Sequence, residues 1–341
     1  MKKKILFIGG TTGGGVATIN NEVIRIFERA GHRFELVDVE AMKTRFPAPI
    51  AYFFCYVLSK IKIIKFRPDT VYLQLAQTGY LHQSLFLLIA KMFGRETMAH
   101  FHAKADLQAT CTKAQLGRIL FSMRYTDKMI VLTEGCRRSL EAAGWSKKIH
   151  VIPNFISTDH LPVDFRPASD RSQLLYLGRM SREKGIFEVL EVARRLPERK
   201  FAFVGNFEND RTEAEFRNEL ENLDNAVWLG SMYSAEKYHV IAESRLLLFP
   251  TRRDEFPMTL IESSILGCVP LVSPVGSVGE IIKDGYNGCY ISPDDIDGII
   301  ARILELDDAG VLQSLSDSGI EYARKHFTNS AVEEKLLEIV G

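Results

Sequence analysis

Short apolar runs recur along the chain, each followed by a stretch with helical period. In the first half the runs are Ile5–Ile8, Phe34–Val37, Thr70–Gln74, Thr97–His102, Lys128–Thr133 and Ile149–Pro153. In the second half they are Gln173–Leu177, Lys200–Gly205, Asn225–Gly230, Leu246–Phe249 and Val269–Val272. Segments such as Val16–Ala30, Ile186–Leu196 and Pro257–Gly267 lie between them, with apolar residues three and four apart. Runs that are apolar on both alternating faces suit strands covered on both sides. Strand–helix alternation of this kind predicts an α/β chain with doubly wound parallel sheets of Rossmann-like topology. Ser157–Asp170 is rich in Asp, Pro and Ser, lacks any period and reads as a linker. The expected organisation is one domain over residues 1–160, a second over 161–325, and a closing helical segment over 326–341.

The length of 341 residues suits two hydrophobic cores, and 46% hydrophobic residues supply them. The net charge is zero, but it is divided unequally. Residues 1–160 hold 23 Lys and Arg against 12 Asp and Glu, whereas residues 161–341 hold 20 against 31. A neutral whole argues against a nucleic-acid partner. The basic half can face an anionic membrane or substrate, or can simply help the two halves approach. The five cysteines are scattered and odd in number, which argues against a disulfide framework or structural zinc and fits a reducing compartment. Met1–Lys4 leads directly into a strand, so no secretory leader is read there and the expected location is cytoplasmic.

Ser59–Arg67 interleaves Lys60, Lys62, Lys65 and Arg67 with Ile61, Ile63, Ile64 and Phe66, and Tyr52, Phe53, Phe54 and Tyr56 precede it. This is the pattern of a helix lying on a membrane surface, with peripheral contact at the inner face of the cell membrane. The alternative is a helix whose apolar stripe packs on the sheet. The lysines interrupt the run, so a membrane span is not expected.

Candidate chemistry gathers after strand ends. Gly9–Gly15 joins a strand to a helix, as in anion sites, but lacks both the GxGxxG fingerprint and the Lys-Ser/Thr of a P-loop. A tight turn without ligand is the competing reading. His100 and His102 end a strand on one face, and no third residue at metal-ligand spacing joins them. Arg179 and Lys184 leave another strand end, as two independently placed cations suited to a diphosphate. Asp254 and Glu262 flank the loop-to-helix junction after Leu246–Phe249, where open α/β sheets place ligands.

The string Gly178-Arg179-Met180-Ser181-Arg182-Glu183-Lys184-Gly185 resembles the GRL-x-x-x-KG element of the retaining GT-B glycosyltransferases of family 4. Asp254-Glu255-Phe256-Pro257, with Glu262 eight positions after Asp254, resembles that family's carboxylate motif. Asp254 stands where Glu is usual, and Glu255 where Gly is usual. Val151-Ile152-Pro153-Asn154 and Asn225–Gly230 are similar to further family elements, as is Gly276–Glu280, with Gly279 where Pro is common.

The resemblance implies a GT-B fold of two Rossmann-like domains facing a cleft, and a final helix that crosses back to the first domain. It implies retaining transfer of a hexose or N-acetylhexosamine from a nucleotide sugar, expected to be UDP-linked, to a cell-surface glycan or lipid-linked acceptor. It assigns the donor diphosphate to Arg179 and Lys184, the ribose to Glu262, and donor-sugar hydroxyls to Asp254. Backbone around Phe256, Pro257 and Met258 assists Asp254, while Gly230 lies at the base and Gly14 and Gly15 beneath the diphosphate. His102 is expected to contact the reacting sugar, with His100 as second choice and Asp106 as an orienting partner or helix cap. No cofactor and no metal are expected. A nucleotide-sugar epimerase or phosphorylase on the same scaffold, or a silent sugar-binding protein, remain the alternatives.

Overall fold

A computed structural model of the chain describes residues 2–12, 14–76, 80–102 and 107–341. It divides into two units: Met1–Phe155 with Asn329–Gly341, and Ile156–Thr328.

Unit 1 begins with β1 (Lys4–Gly9), α1 (Gly14–Arg29), β2 (Arg33–Asp38), α2 (Val39–Lys43) and α3 (Ala48–Phe66). It continues with β3 (Thr70–Ala76), α4 (Tyr80–Met92), β4 (Glu96–His102), α5 (Leu107–Thr110) and α6 (Lys113–Ser122). It then runs through β5 (Lys128–Val131), α7 (Glu134–Ala142) and β6 (Ile149–Val151). The six strands are parallel in the order β2-β1-β3-β4-β5-β6. Ile8 sits between Val37 and Leu73, which fixes the register at the centre. The chain turns from β2 back past β1 to β3, so the strand order reverses between β1 and β3.

Unit 2 runs through β7 (Gln173–Leu177), α8 (Ile186–Arg195), β8 (Lys200–Val204), α9 (Asp210–Leu220) and β9 (Ala226–Trp228). Next come α10 (Ser234–Glu243), β10 (Ser244–Phe249), α11 (Met258–Ile265), β11 (Val269–Val272) and α12 (Val278–Ile281). It ends with β12 (Cys289–Tyr290), α13 (Ile296–Glu305) and α14 (Ala309–His326). Its parallel order is β12-β11-β10-β7-β8-β9, so the reversal falls between β7 and β10. Leu247 lies between Leu175 and Pro270. Reversal points open a crevice at the carboxyl ends of the strands, and ligands of doubly wound sheets bind there.

The last helix, α15 (Asn329–Val340), packs in unit 1. Lys128 Nζ donates to Ile339 O at 2.7 Å, and Arg29 pairs with Glu333 at 3.3 Å.

Three elements differ from the sequence reading. The segment Gly276–Glu280 already holds three of the four residues of α12, and the loop before that helix is pinned to Glu255. The helix α10 has no strong apolar stripe and escaped the pattern. The basic segment Ser59–Arg67 is the second half of the 19-residue helix α3, which starts at Pro47-Ala48-Pro49 and stops at Arg67, in left-handed conformation, before Pro68.

Candidate active site

Lys184 and Asp254 meet across the carboxyl ends of β7 and β10. Lys184 Nζ lies 2.6 Å from Asp254 Oδ2, with both side chains largely buried, and it also donates to the carbonyl of Arg253. The ammonium sits 5.7 Å from the Phe249 ring centroid. Ser181 caps the turn Arg182–Lys184, its Oγ accepting from Lys184 N. Gly185 follows at φ +82°, and a Cβ there would stand 2.3 Å from Pro250 O. A glycine is therefore required for the two strand ends to approach so closely. Arg179 leaves the end of β7 exposed, and no described carboxylate engages its guanidinium. Its carbonyl accepts the Tyr176 hydroxyl at 2.7 Å, which fixes the backbone beneath it.

Asp254 is held from behind. Gly276 has φ +56°, and a Cβ on it would lie 1.8 Å from Asp254 O. Ser277 N and Oγ both donate to Glu255 O. The loop before α12 thus clamps the Asp254–Glu255 backbone. Phe256 and Pro257 are buried, and Phe256 meets Phe327 edge to face at 6.1 Å. Pro257 is the N-cap of α11 and offers no side-chain cap, and Thr259 Oγ1 is buried with no partner among the described residues. The first turn of α11 thereby keeps polar capacity for a ligand.

Glu262 is one turn further on and buried. Its Oε1 accepts from Lys237 Nζ of α10 at 2.7 Å. Burial holds its carboxyl above the usual range, and the Lys237 ammonium pulls it back down. Gly230 has φ +80°, and its carbonyl accepts Gly205 N at 2.9 Å, so its N–H side is the part left for a base. Arg252 pairs with Glu188 and Asp294, so it ties the surface together rather than serving the site.

In unit 1 a cavity of about 280 Å³ opens at the β1/β3 reversal, lined by Gly9, Gly10, Glu40, Gln74, Phe86 and His102, among others. The loop over it is fixed: Asn20 Nδ2 donates to Gly10 O at 2.6 Å, and Thr11 N donates to Asp38 Oδ2 at 3.2 Å. Asn20 Oδ1, at the same wall, is a buried acceptor with no described partner. Gly14 and Gly15 form the start of α1, and Asp106 lies outside the described residues. The lining carries Glu40 and no described Lys or Arg, which suits a hydroxyl-bearing group better than a phosphate.

The two histidines divide their roles. The rings stack at 4.5 Å. His100 is fully buried, and its Nδ1 accepts from the Tyr72 hydroxyl at 2.9 Å. His102 Nε2–H donates to Gln74 Oε1, leaving Nδ1 as an acceptor, and the ring borders the cavity. Burial pushes His102 down to about 4 and His100 well below the usual imidazole range, so both are neutral near pH 7. Sequence reasoning missed Gln74 and Lys237. Neither carries a local signal, and only the strand register and the helix packing bring them to their partners.

Among the described residues, no group of three or more His, Cys, Asp or Glu gathers as a metal site.

Two parallel doubly wound units, with a cation–carboxylate pair at a strand reversal, are the frame of a GT-B glycosyltransferase. Comparison with known proteins agrees. Residues 158–326, almost the whole second unit, match the family model of the glycosyl transferases group 1, and with the fold this supports a GT-B glycosyltransferase. It is 23% identical over 359 residues to an uncharacterized 41.2 kDa protein in the cps region of Klebsiella pneumoniae, covering 98% of each chain. It is 21% identical to a sulfoquinovosyl transferase of Arabidopsis thaliana over 72% of this chain and about half (51%) of that protein. Among solved structures, a glycosyltransferase from Rickettsia africae matches with a TM-score of 0.80 at 16% identity, covering 99% and 97% of the two chains. Anabaena HepE in complex with UDP matches at 0.76 and 14%, covering 99% of each.

Proposed function

We propose that the protein moves a hexose or N-acetylhexosamine from a UDP-linked donor to a glycan or lipid-linked acceptor, with retention at the anomeric carbon. The observation that carries this reading is the Lys184–Asp254 pair beside the exposed Arg179 at the β7/β10 reversal. Arg179 and Lys184 bind the diphosphate and stabilise the charge that grows on it as the sugar leaves. They supply the positive charge without a divalent cation. Asp254 accepts hydroxyls of the donor sugar once Lys184 turns to the phosphate, and Glu262 accepts the ribose hydroxyls beside Lys237. The acceptor hydroxyl oxygen attacks the anomeric carbon on the face from which the diphosphate departs. The bond from that carbon to the phosphate oxygen breaks, and the hydroxyl proton passes to the departing phosphate. No enzymatic nucleophile is needed. In unit 1 the neutral His102 offers Nδ1 to a substrate hydroxyl. The structural neighbour Anabaena HepE forms complexes with UDP and with UDP-glucose, which supports the choice of base.

The test is calorimetric titration, without divalent metal, of UDP, GDP and their hexose conjugates into wild type, Arg179→Ala and Lys184→Ala. Wild type should bind the uridine compounds, and each variant should bind them about ten- to a hundredfold more weakly, as expected for loss of a charge-assisted contact. Equal binding by a folded Lys184→Ala variant would remove the diphosphate assignment.

A further inference from the structure

The outer face of α3 is apolar. Ile50, Phe53, Val57, Ile61 and Ile64 recur three or four residues apart and are all exposed, Phe53 by 61% and Ile64 by 57%. At that spacing they form one stripe along the helix. The opposite stripe, Ala51, Cys55, Ser59 and Ile63, is buried in unit 1. A helix that packs by one stripe ordinarily turns charge to water on the other. This one has no carboxylate anywhere along its length. The neighbouring helix α4 is held against it by Tyr56, whose ring lies 4.6 Å from Phe86 and whose hydroxyl donates to His82 O at 2.8 Å. It adds exposed Leu81 and Leu85.

The charges around the stripe have one sign. Lys60 and Lys65 are exposed on α3, and Arg67 follows its end. Lys62 alone on the helix is paired, with Glu35. Across residues 41–95 the one acid is Asp69, and it is occupied by the backbone N–H of Lys4.

We propose that the outer face of α3 docks unit 1 onto an anionic lipid bilayer, with the helix lying in the plane of the interface. Phe53, Val57, Ile61 and Ile64 enter the acyl boundary, while Lys60, Lys65 and Arg67 meet lipid phosphates. Charge complementarity selects this occupant. A second copy placed symmetrically on the same face would set these cations against their own copies, with no acid to answer them. The helix lies on the membrane and does not cross it. Its buried stripe ties it to the unit 1 core, and no described helix is long and apolar enough to span a membrane. The inference stands apart from the transferase reading, because α3 belongs to unit 1 and the proposed donor residues belong to unit 2.

The experiment is co-sedimentation of the full chain with vesicles of phosphatidylcholine alone or mixed with phosphatidylglycerol. Wild type should pellet with the mixed vesicles and far less with the neutral ones. Each exposed lysine reversed in Lys60→Glu and Lys65→Glu should weaken partitioning about fivefold or more. Phe53→Ser should weaken it about tenfold. All three positions are exposed, so thermal unfolding and nucleotide titration should match wild type. Failure of the folded wild type to bind mixed vesicles would overturn the proposal. So would equal binding by all the variants, or a wild-type dimer in sedimentation equilibrium that Phe53→Ser dissociates.

Discussion

Replacing Lys237 by Met leaves Glu262 as a buried carboxylate without its cation. Both partners are well covered, with side-chain exposures of 19% for Lys237 and 7% for Glu262. Breaking such a pair costs about 3–5 kcal/mol, because the surviving charge keeps its desolvation penalty. The protein has one escape, which is to protonate Glu262. From an ordinary glutamate value of 4.5, proton uptake at pH 7.5 costs about 4 kcal/mol, at about 1.36 kcal/mol per unit. That sets a ceiling, and we expect a loss of about 3 kcal/mol at pH 7.5. At pH 5.5 the same ceiling falls to about 1.4 kcal/mol. The sign follows from linkage. A folded-state carboxyl raised above its unfolded value binds more protons when folded, so the contribution of Glu262 to stability falls as pH rises above about 4.5. Removing Lys237 extends that fall to higher pH. Urea unfolding of wild type and Lys237→Met at the two pH values measures the difference. Lys237→Met with Glu262→Gln should recover most of the loss at pH 7.5, because the stranded charge is gone. A single-variant loss under about 0.5 kcal/mol, or one that does not change with pH, would refute the reasoning.

Two further outcomes test the frame of the site. Gly276→Ala should destabilise the protein by about 2 kcal/mol or more, since an L residue at φ +56° is strained and its Cβ would run into Asp254 O. Sugar-nucleotide affinity should fall with it, and wild-type urea midpoint and affinity together would contradict the clamp. Stability should also decline as pH drops from about 6.5 toward 4, because the unfolded chain protonates His100 and His102 before the folded one does. In His102→Gln the slope of stability against pH over that window should be shallower by up to about 1.4 kcal/mol per unit, and an unchanged slope would mean His102 titrates normally.

Each level of the molecule was legible to a different degree. The strand–helix rhythm is local, so the apolar runs and their order led directly to two parallel sheets. The cation–carboxylate pairing was legible only as residue types at two strand ends. Arg179, Lys184, Asp254 and Glu262 could be marked because turns and strand ends leave a local signature. That Lys184 grips Asp254 is a contact across 70 positions, set by β7 and β10 being neighbours. Glycines could be marked as permissive, but which of them tolerate no Cβ depends on what backbone approaches, as Pro250 does at Gly185.

The sequence by itself determined what periodicity and local chemistry encode: the α/β class, the two-unit division, and the strand-end residues that carry charge. Only the tertiary structure decided which distant side chains meet and which faces stay bare. Lys237 reaches Glu262 because α10 packs beside α11, and Gln74 reaches both histidines because β3 pairs with β4 in one register. The helix α3 makes the division plain. It is apolar on nearly every side, so no pattern along it could say which stripe the sheet would cover. Packing buried Ala51, Cys55, Ser59 and Ile63, and by covering that stripe it left the larger apolar side chains outside.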